Sequence, residues 1–305
     1  MNAHAREHDR KVRNGLDSDS KARTIAVLNH KGGAGKTALA VELAAYLALA
    51  GERVLVIDLD PQVNLTKRIG YTIGVSEEEQ ELPKATLFDM LDDPDANPMA
   101  DCLVDLWSIP GLSIVPGDPD IHELMDLLPA KPDGALRVRD ALEDFLDSPA
   151  GRDFDFVFID CPPSKGIFPT SAMIAVDEIM APVDLRTTDS LTGIFQLIRS
   201  FDELPARYQP ADGIFLVGNL FDEVGTDEAE NRDALGNLGL PVASTVVKTR
   251  KAISKSQNRM SPLVEQVGEQ SKGARKAYKN ISALAEEIRS GKIKGQKPVK
   301  EAVHG

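Results

Sequence analysis

The feature that most constrains this chain is a glycine-rich loop between an apolar run and a helical pattern. Residues 24–29 form the apolar run, residues 31–37 read KGGAGKT, and residues 38–50 place leucines at helical spacing. This order predicts a strand, a loop and the start of a helix. Such a loop directs backbone N–H groups and the positive end of the helix dipole to one point, where a phosphate group binds. The strict pattern G-x-x-x-x-G-K-[ST] is not met, because His30 stands at its first glycine, so the loop is a variant.

A second strand, predicted over residues 53–58, completes a β-α-β unit whose strands should run parallel. Strand and helix patterns then alternate, which predicts an α/β fold, a doubly wound and mostly parallel sheet with helices on both faces. The further expected strands are 112–115, 154–159, 178–182, 214–217 and 242–247. The further expected helices are 134–146, 170–176, 190–204 and 273–288, with a short one near 86–91.

The sequence divides into three parts. We expect one folded domain over residues 24–288. Residues 1–23 lack apolar periodicity and carry six bases and four acids, which indicates a mobile basic arm. Residues 289–305 hold five bases and one acid, and we expect a disordered basic tail.

Composition excludes several classes of protein. Two cysteines, Cys102 and Cys161, are too few for a disulfide framework or a four-thiolate metal site. No uncharged apolar run reaches the roughly 18 residues of a membrane span, and no secretory leader is apparent, so we expect a cytoplasmic protein. The net charge of −13 argues against a general polyanion binder, yet residues 245–279 carry nine bases and two acids.

Several side chains fit phosphate chemistry around the loop. Lys36 would reach the β- and γ-phosphates, and Thr37 would ligate Mg²⁺. Asp58 and Asp60 follow the second strand, and Asp160 ends the strand that begins near residue 154. Because the carboxyl ends of parallel strands share one edge, these acids should lie beside the loop. Carboxylates there can hold Mg²⁺ or orient an attacking water.

The chain resembles the ParA/MinD superfamily of deviant Walker-A P-loop ATPases, most closely its ParA (Soj) branch. The resemblance covers about residues 24–288. It rests on these segments: KGGAGKT (31–37), VLVIDLDPQVNLT (54–66), ATLFDML (85–91), DFVFIDCPPS (155–164), AVDEIMAPVD (175–184) and SKGARKAYKNISALAEEI (271–288).

The resemblance implies specific roles for site residues. Lys31 would cross to the nucleotide of a partner subunit, so that ATP lies within a homodimer. Lys31, Lys36 and Asp60 are the expected catalytic residues, with Asp60 positioning water. Thr37, Asp58 and Asp160 are the expected metal residues, Asp160 as the Walker B acid. The expected ATP-binding residues are Lys31, Gly32, Gly33, Ala34, Gly35, Lys36, Thr37, Ala38, Asn219, Lys248 and Arg250.

The resemblance also implies a working cycle. ATP-bound dimers of this branch bind DNA without sequence preference, and a ParB-like centromere-binding partner stimulates hydrolysis and release. We therefore expect a weak basal ATPase with ATP and Mg²⁺ as cofactors, located on the nucleoid, that segregates plasmid or chromosome DNA.

The sequence departs from the family pattern at three places. Ala38 stands where Thr is usual, Val63 replaces a Gly, and Lys248 and Arg250 replace the proline and asparagine that frame adenine. The altered segment is strongly basic, and clustered bases can neutralise DNA phosphates. The candidate DNA-binding residues are Lys248, Arg250, Lys251, Lys255, Arg259, Lys272, Arg275 and Lys276.

Other readings of the same motifs are open. An ATPase of this branch that positions a protein cargo on the nucleoid would use identical chemistry. A MinD-like membrane-cycling ATPase needs a basic amphipathic helix at its end, and residues 291–300 contain two glycines and a proline, so no membrane partner is expected. An iron–sulfur relative would need cluster-ligating cysteines, and a nonenzymatic adaptor would need a defective loop.

Overall fold

The computed structural model describes residues 21–72, 81–106, 108–187, 189–208, 210–220, 233–248, 262 and 272–298. Its centre is a seven-stranded sheet in the order β3-β4-β2-β5-β1-β6-β7, parallel except for β3. The strands are β1 Arg23–Val27, β2 Val54–Asp58, β3 Val104–Asp105, β4 Leu112–Val115, β5 Phe156–Asp160, β6 Glu178–Asp184 and β7 Gly213–Asn219. The helices are α1 Lys36–Leu49, α2 Asn64–Arg68, α3 Leu87–Asp92, α4 Leu124–Leu127, α5 Arg137–Asp147, α6 Ile167–Ala175, α7 Asp189–Asp202 and α8 Lys272–Arg289. This architecture confirms the predicted fold class.

The strands are mostly apolar between their ends because both faces of the sheet are covered. Every residue of β2, β5, β6 and β7 is buried. One core lies on the side of α1 and α8, around Leu39, Phe158 and Leu284. A second core lies on the side of α5, α6 and α7, around Ile57, Phe168 and Leu197. A sheet buried on both faces is the arrangement that runs of Val, Ile and Leu favour.

The register of the strands brings the acidic strand ends together. In β1 and β5, Val27 pairs with Asp160, and in β2 and β5, Asp58 pairs with Asp160. β1 lies between β5 and β6, so the loop that follows it leaves an inner strand of the sheet, next to Asp160 of β5. Ligands of doubly wound folds bind at such an edge.

One predicted strand is wrong. Residues 242–247 run beside β7 but form a single bridge, between Leu216 and Val242. Leu216 bonds to Pro241 O and Ala243 N, but the backbone turns away from β7 at Ser244, whose N–H donates to Glu287 Oε2 at 2.8 Å. It returns to β7 at Val247, whose N–H donates to Gly218 O at 2.8 Å. Strand β3, two residues long and antiparallel, was not predicted, because so short an edge strand leaves no periodic pattern.

The expected disordered tail is also corrected over its described part. Gln296 and Ile214 exchange two backbone hydrogen bonds, of 3.0 and 3.1 Å, so residues 290–298 pack against β7. Arg23, in the first position of β1, holds the same segment, because its guanidinium donates to the carbonyl oxygens of Ile288 and Ile293. Residues 299–305, and residues 1–20 of the expected arm, lie outside the described residues.

Candidate active site

The glycine loop between β1 and α1 has the backbone geometry that its sequence predicts. Gly33 and Gly35 have φ values of +81° and +88°, in the left-handed region where side chains are disfavoured. A Cβ atom at Gly35 would collide with the side-chain nitrogen of Asn219. That nitrogen donates to Ala34 O at 2.8 Å. Asn219, predicted to lie near the base, therefore braces the loop, while Gly32 and Gly33 are exposed to solvent.

Lys36 lies almost fully buried beneath the loop. Its Nζ donates to Asn29 O at 3.1 Å and to Lys31 O at 3.3 Å, so the ammonium group spans the mouth of the loop. Burial lowers the pKa of Lys36, and the nearby Asp160 opposes that change. A cation held this way is set to meet an anionic group that enters the loop. Ala38, at the next-but-one position, is buried in α1.

Thr37 and Asp160 meet beside the loop. Thr37 Oγ1 donates to Asp160 Oδ2 at 2.6 Å, and Asp160 Oδ1 is buried without a hydrogen-bond partner in the described chain. Burial and the neighbouring Asp58 raise the pKa of Asp160 to about 8. A carboxylate with one unsatisfied oxygen beside a hydroxyl fits a divalent cation. The described residues contain no group of three or more His, Cys, Asp or Glu that could hold a metal. Mg²⁺ here would thus share its shell with phosphate oxygens and water, as is usual for that ion.

Asp58 is engaged by the segment that follows β2. It accepts hydrogen bonds from Thr66 N at 2.9 Å, Thr66 Oγ1 at 2.7 Å and Asp60 N at 3.2 Å. Burial raises the pKa of Asp58 to about 6, against the effect of these bonds. Gly117 N in turn donates to Thr66 Oγ1 at 2.8 Å. Asp58 therefore fixes the loop that carries Asp60, and a direct metal contact stays a prediction.

Asp60 faces the cleft above the glycine loop. It is 7% exposed, and its Oδ1 accepts a hydrogen bond from Gln62 N at 3.0 Å. The cleft has a volume of about 770 Å³ and is also lined by Lys36 and Thr37. Its far wall includes Val247 of the altered segment and Ile281 of α8. The structure thus brings Lys36, Thr37 and Asp60 to one cavity. Asp160 joins them through its hydrogen bond with Thr37, whereas Asp58 does not line the cleft.

Lys31 lies at the rim of the same site. Its Nζ donates to Thr187 Oγ1 at 2.9 Å, in the loop between β6 and α7. The backbone N–H of Lys31 donates to Asn29 Oδ1 at 2.9 Å, which fixes the direction of the loop at that point. A half-buried lysine held by one hydroxyl can move to another partner at small cost.

Sequence reasoning missed Arg186. It lines the cleft and forms a bidentate ion pair with Asp184 at the end of β6, with distances of 2.9 and 2.8 Å. This pairing lowers the pKa of Asp184 against the opposing effect of its burial. The position of Asp184 at a strand end was the available signal. Glu42 and Arg68, a buried ion pair at 3.3 Å, also line the cleft and were missed.

The candidate DNA-binding residues are described in part. Arg275 and Lys276 are exposed on α8, as is Lys279, and Lys248 is half-buried. Lys272 begins α8. α8 packs along α1, where Tyr46 and Tyr278 have ring centroids 5.6 Å apart. Arg250, Lys251, Lys255 and Arg259 lie outside the described residues.

No helix in the described ranges combines the length and apolar character that crossing a membrane requires.

The chain is similar in sequence and in fold to several known proteins. A family model described as an AAA domain matches residues 22–211. The chromosome partitioning protein ParA of Caulobacter vibrioides is 31% identical over 251 residues, which are 81% of this chain and 88% of the relative. A solved structure of a Cyanothece McdA variant in complex with ATP has a TM-score of 0.69 at 21% identity, covering 90% of this chain and 98% of that one.

A second solved structure carries both nucleotide and metal. It is a cobyrinic acid a,c-diamide synthase from Mycobacterium smegmatis with bound ADP and magnesium, with a TM-score of 0.66 at 26% identity, covering 91% of this chain and 99% of that one. The resemblance inferred from the motifs is thereby confirmed. Because the family model spans more than half of the chain and ParA aligns with most of it, the chain belongs to the ParA family of AAA-domain P-loop ATPases.

Proposed function

We propose that this protein is a partitioning ATPase that forms an ATP-bound homodimer, holds DNA without sequence preference and releases it on hydrolysis. The observation that carries the proposal is the packing of α8 on α1. One helix begins at the phosphate loop, and the other displays exposed bases and contributes Ile281 to the cleft wall. Nucleotide and DNA would then act on two helices in direct contact.

The residues of the cleft divide the chemistry of hydrolysis among them. Lys36 and the loop N–H groups would bind the β- and γ-phosphates, and Thr37 with Asp160 would hold Mg²⁺. Magnesium bound there would neutralise charge on the phosphate oxygens. Asp60 would orient the attacking water, because Asp58 is engaged with Thr66, and Glu42, the other carboxylate of the lining, is paired with Arg68. Weak basal turnover would follow from a site completed by a second subunit.

The position of Lys31 supports the proposal of an ATP-bound homodimer. It lies at the rim of the cleft, where a single hydroxyl, that of Thr187, receives its ammonium group. We infer that it exchanges this contact for the nucleotide of the partner subunit. A ParB-like protein bound to centromere DNA would then stimulate hydrolysis and return the dimer to monomers.

The exposed bases of α8 support DNA binding. Arg275, Lys276 and Lys279 lie within about one and a half turns of one helix, so their charges act on one stretch of phosphate backbone. Such contacts release counterions and give affinity that falls steeply with salt. A dimer presents two such surfaces, which raises affinity by multivalency. DNA binding that requires ATP would follow.

Binding to nonspecific duplex DNA at two salt concentrations tests the proposal. Wild-type protein with ATP is expected to bind, with affinity falling at least about tenfold between 50 and 200 mM salt, whereas ADP and no nucleotide give weak binding. Lys31→Ala should lose the increase in DNA affinity that ATP produces. Lys276→Glu should weaken DNA binding without affecting the affinity for nucleotide. Lys84→Glu is the matched control, since Lys84 is 83% exposed and lies in the acidic part of the chain. Binding that is indifferent to nucleotide would contradict the mechanism.

Two alternatives use the same cleft. A protein cargo carried over the nucleoid would leave the DNA experiment unchanged and would be distinguished by which partner stimulates hydrolysis. A membrane-cycling role has less support, because residues 290–298 pack against β7 through Gln296 instead of forming an amphipathic helix.

Arg186→Ala is expected to raise the KM for ATP by about tenfold or more, since hydrogen bonds to charged groups contribute about 1.5–3 kcal/mol. The guanidinium lines the cleft and is oriented by Asp184, so it can reach a nucleotide phosphate. Steady-state ATPase assays over a range of ATP concentrations measure this change. Arg186→Lys retains the charge but not the bidentate geometry, so its KM for ATP should lie between those of the wild type and the alanine variant. An unchanged KM in the alanine variant would assign Arg186 to supporting Asp184 alone.

A further inference from the structure

A second cavity lies far along the chain from the nucleotide cleft, between α5 and the segment that follows α3. Its volume is about 340 Å³. Met99, Ala141 and Phe145 are buried and form its apolar floor. Six aspartates line it, and we call it the acidic groove: Asp92, Asp93, Asp95, Asp133, Asp140 and Asp144. Arg137 also lines the groove, but it is largely buried and paired with Asp133. An apolar floor with a mainly acidic rim fits a basic chain segment that carries an apolar side chain.

Much of the rim charge is not neutralised within the described chain. Asp92, Asp133 and Asp140 have ion-pair partners, in Lys131, Arg137 and Arg139. Asp95 and Asp144 are exposed and form no ion pair with any described residue. The groove therefore retains negative charge that a cationic segment would offset.

The amino-terminal arm enters the described structure next to this groove. Lys21, the first described residue, forms an ion pair with Asp147 at 3.2 Å. Asp147 ends α5, and Ser148, which follows it, already lines the groove. With a helical rise of about 1.5 Å per residue, Asp144 lies about 5 Å and Asp140 about 10 Å along α5 from that ion pair.

One stretch of the arm, residues 10–13, complements the charge of the groove. Arg10, Lys11 and Arg13 surround the apolar Val12. The eight residue steps from Arg13 to Lys21 can span up to about 26 Å, which exceeds the distance along α5 to the groove. Because the arm is tethered beside the groove, its effective concentration there is high, so weak contacts suffice.

We propose that residues 10–13 of this chain's own amino-terminal arm dock in the acidic groove, with Val12 over the apolar floor and the bases on the aspartate rim. The arm would then compete with any basic segment of a partner protein for the same surface. Docking depends on opposite charges at exposed positions, so it is screened at high salt.

Intramolecular crosslinking of the full chain tests the proposal. Cys102 and Cys161 are buried, so a pair of introduced cysteines can be oxidised selectively by diamide. Asn14→Cys should form a disulfide with Ala100→Cys, an exposed residue that lines the groove. Ala150→Cys is the matched control, since Ala150 is exposed and three residues from Asp147, but outside the groove. The groove pair is expected to crosslink at least about tenfold faster in low salt than the control pair, and to lose this advantage in 1 M salt.

Charge exchange completes the test. Asp95→Lys with Asp144→Lys should abolish the fast crosslink, and adding Arg10→Asp with Arg13→Asp should restore it. Basal ATPase activity of each variant reports that the fold is intact. Equal rates for the groove and control pairs, or crosslinks that form between molecules instead of within one, would overturn the proposal. Either outcome is independent of DNA binding, on which the proposed function depends.

Discussion

An Asp60→Asn variant is expected to bind ATP as the wild type does and to hydrolyse it at least about 100-fold more slowly, because a positioned carboxylate contributes about 10²–10⁴-fold to proton transfer. Asp60 is the acid of the β2 end that faces the cleft, and asparagine preserves its shape and its acceptor for Gln62 N. Turnover at saturating ATP and binding of a fluorescent ATP analogue measure the two effects separately. In the proposed cycle, ATP-loaded Asp60→Asn should remain on DNA long after the wild type has left it.

The control for Asp60→Asn is Asp118→Asn. Asp118 follows β4 at the same edge of the sheet but caps a short helix, accepting from Asp120 N at 2.9 Å. Asparagine is an equally good cap, so this variant should turn over normally. Wild-type turnover in Asp60→Asn would instead assign water positioning to another group in the cleft.

The second large effect concerns Asp160 and the pH dependence of stability without metal. The folded-state pKa of Asp160 is raised to about 8 and that of Asp58 to about 6, both mainly by burial. The folded protein therefore binds more protons than the unfolded chain between about pH 4 and 8, so the free energy of unfolding should fall as pH rises through this window. Asp160→Asn removes the larger of the two contributions. In EDTA at pH 8 it should raise the free energy of unfolding by an amount on the order of 3 kcal/mol.

Urea unfolding in EDTA at pH 5 and pH 8 measures this effect. Stabilisation of the wild type by Mg²⁺ with ATP should be largely lost in Asp160→Asn, since the carboxylate that fits the metal is gone. The exposed Asp120→Asn variant should keep the wild-type slope with pH. If the free energy of unfolding of Asp160→Asn falls with pH as steeply as that of the wild type, Asp160 is not the group whose raised pKa causes the fall.

The parts of the site that sequence predicted are those fixed by local pattern. The glycine loop, β2 and β5 were identified because an apolar run ending in Asp or glycine needs no distant partner to be recognised. The strand predicted over residues 242–247 was wrong because Ser244 N donates to the side chain of Glu287, about forty residues away in sequence, instead of to β7. The disorder predicted for residues 290–298 was wrong for the same reason, because Arg23 and Ile214, both distant in sequence, form hydrogen bonds with this segment. Arg186 belongs to no motif, and its place in the cleft follows from β6 alone.

Val63 gives the loop that carries Asp60 an unusual property. Its φ of +52° lies in the left-handed region, where a β-branched residue costs on the order of 1–3 kcal/mol. The side chain is nevertheless buried, and Asp58 holds the following helix through Thr66. Asp60 is thus held in a loop whose backbone conformation at Val63 is intrinsically unfavourable, and the contacts of Asp58 with Thr66 help to maintain that conformation. An event that breaks the hydrogen bonds between Asp58 and Thr66 would favour relaxation of Val63 to an ordinary backbone conformation, with movement of the loop that carries Asp60. A glycine at position 63 would adopt the same conformation without this energetic cost.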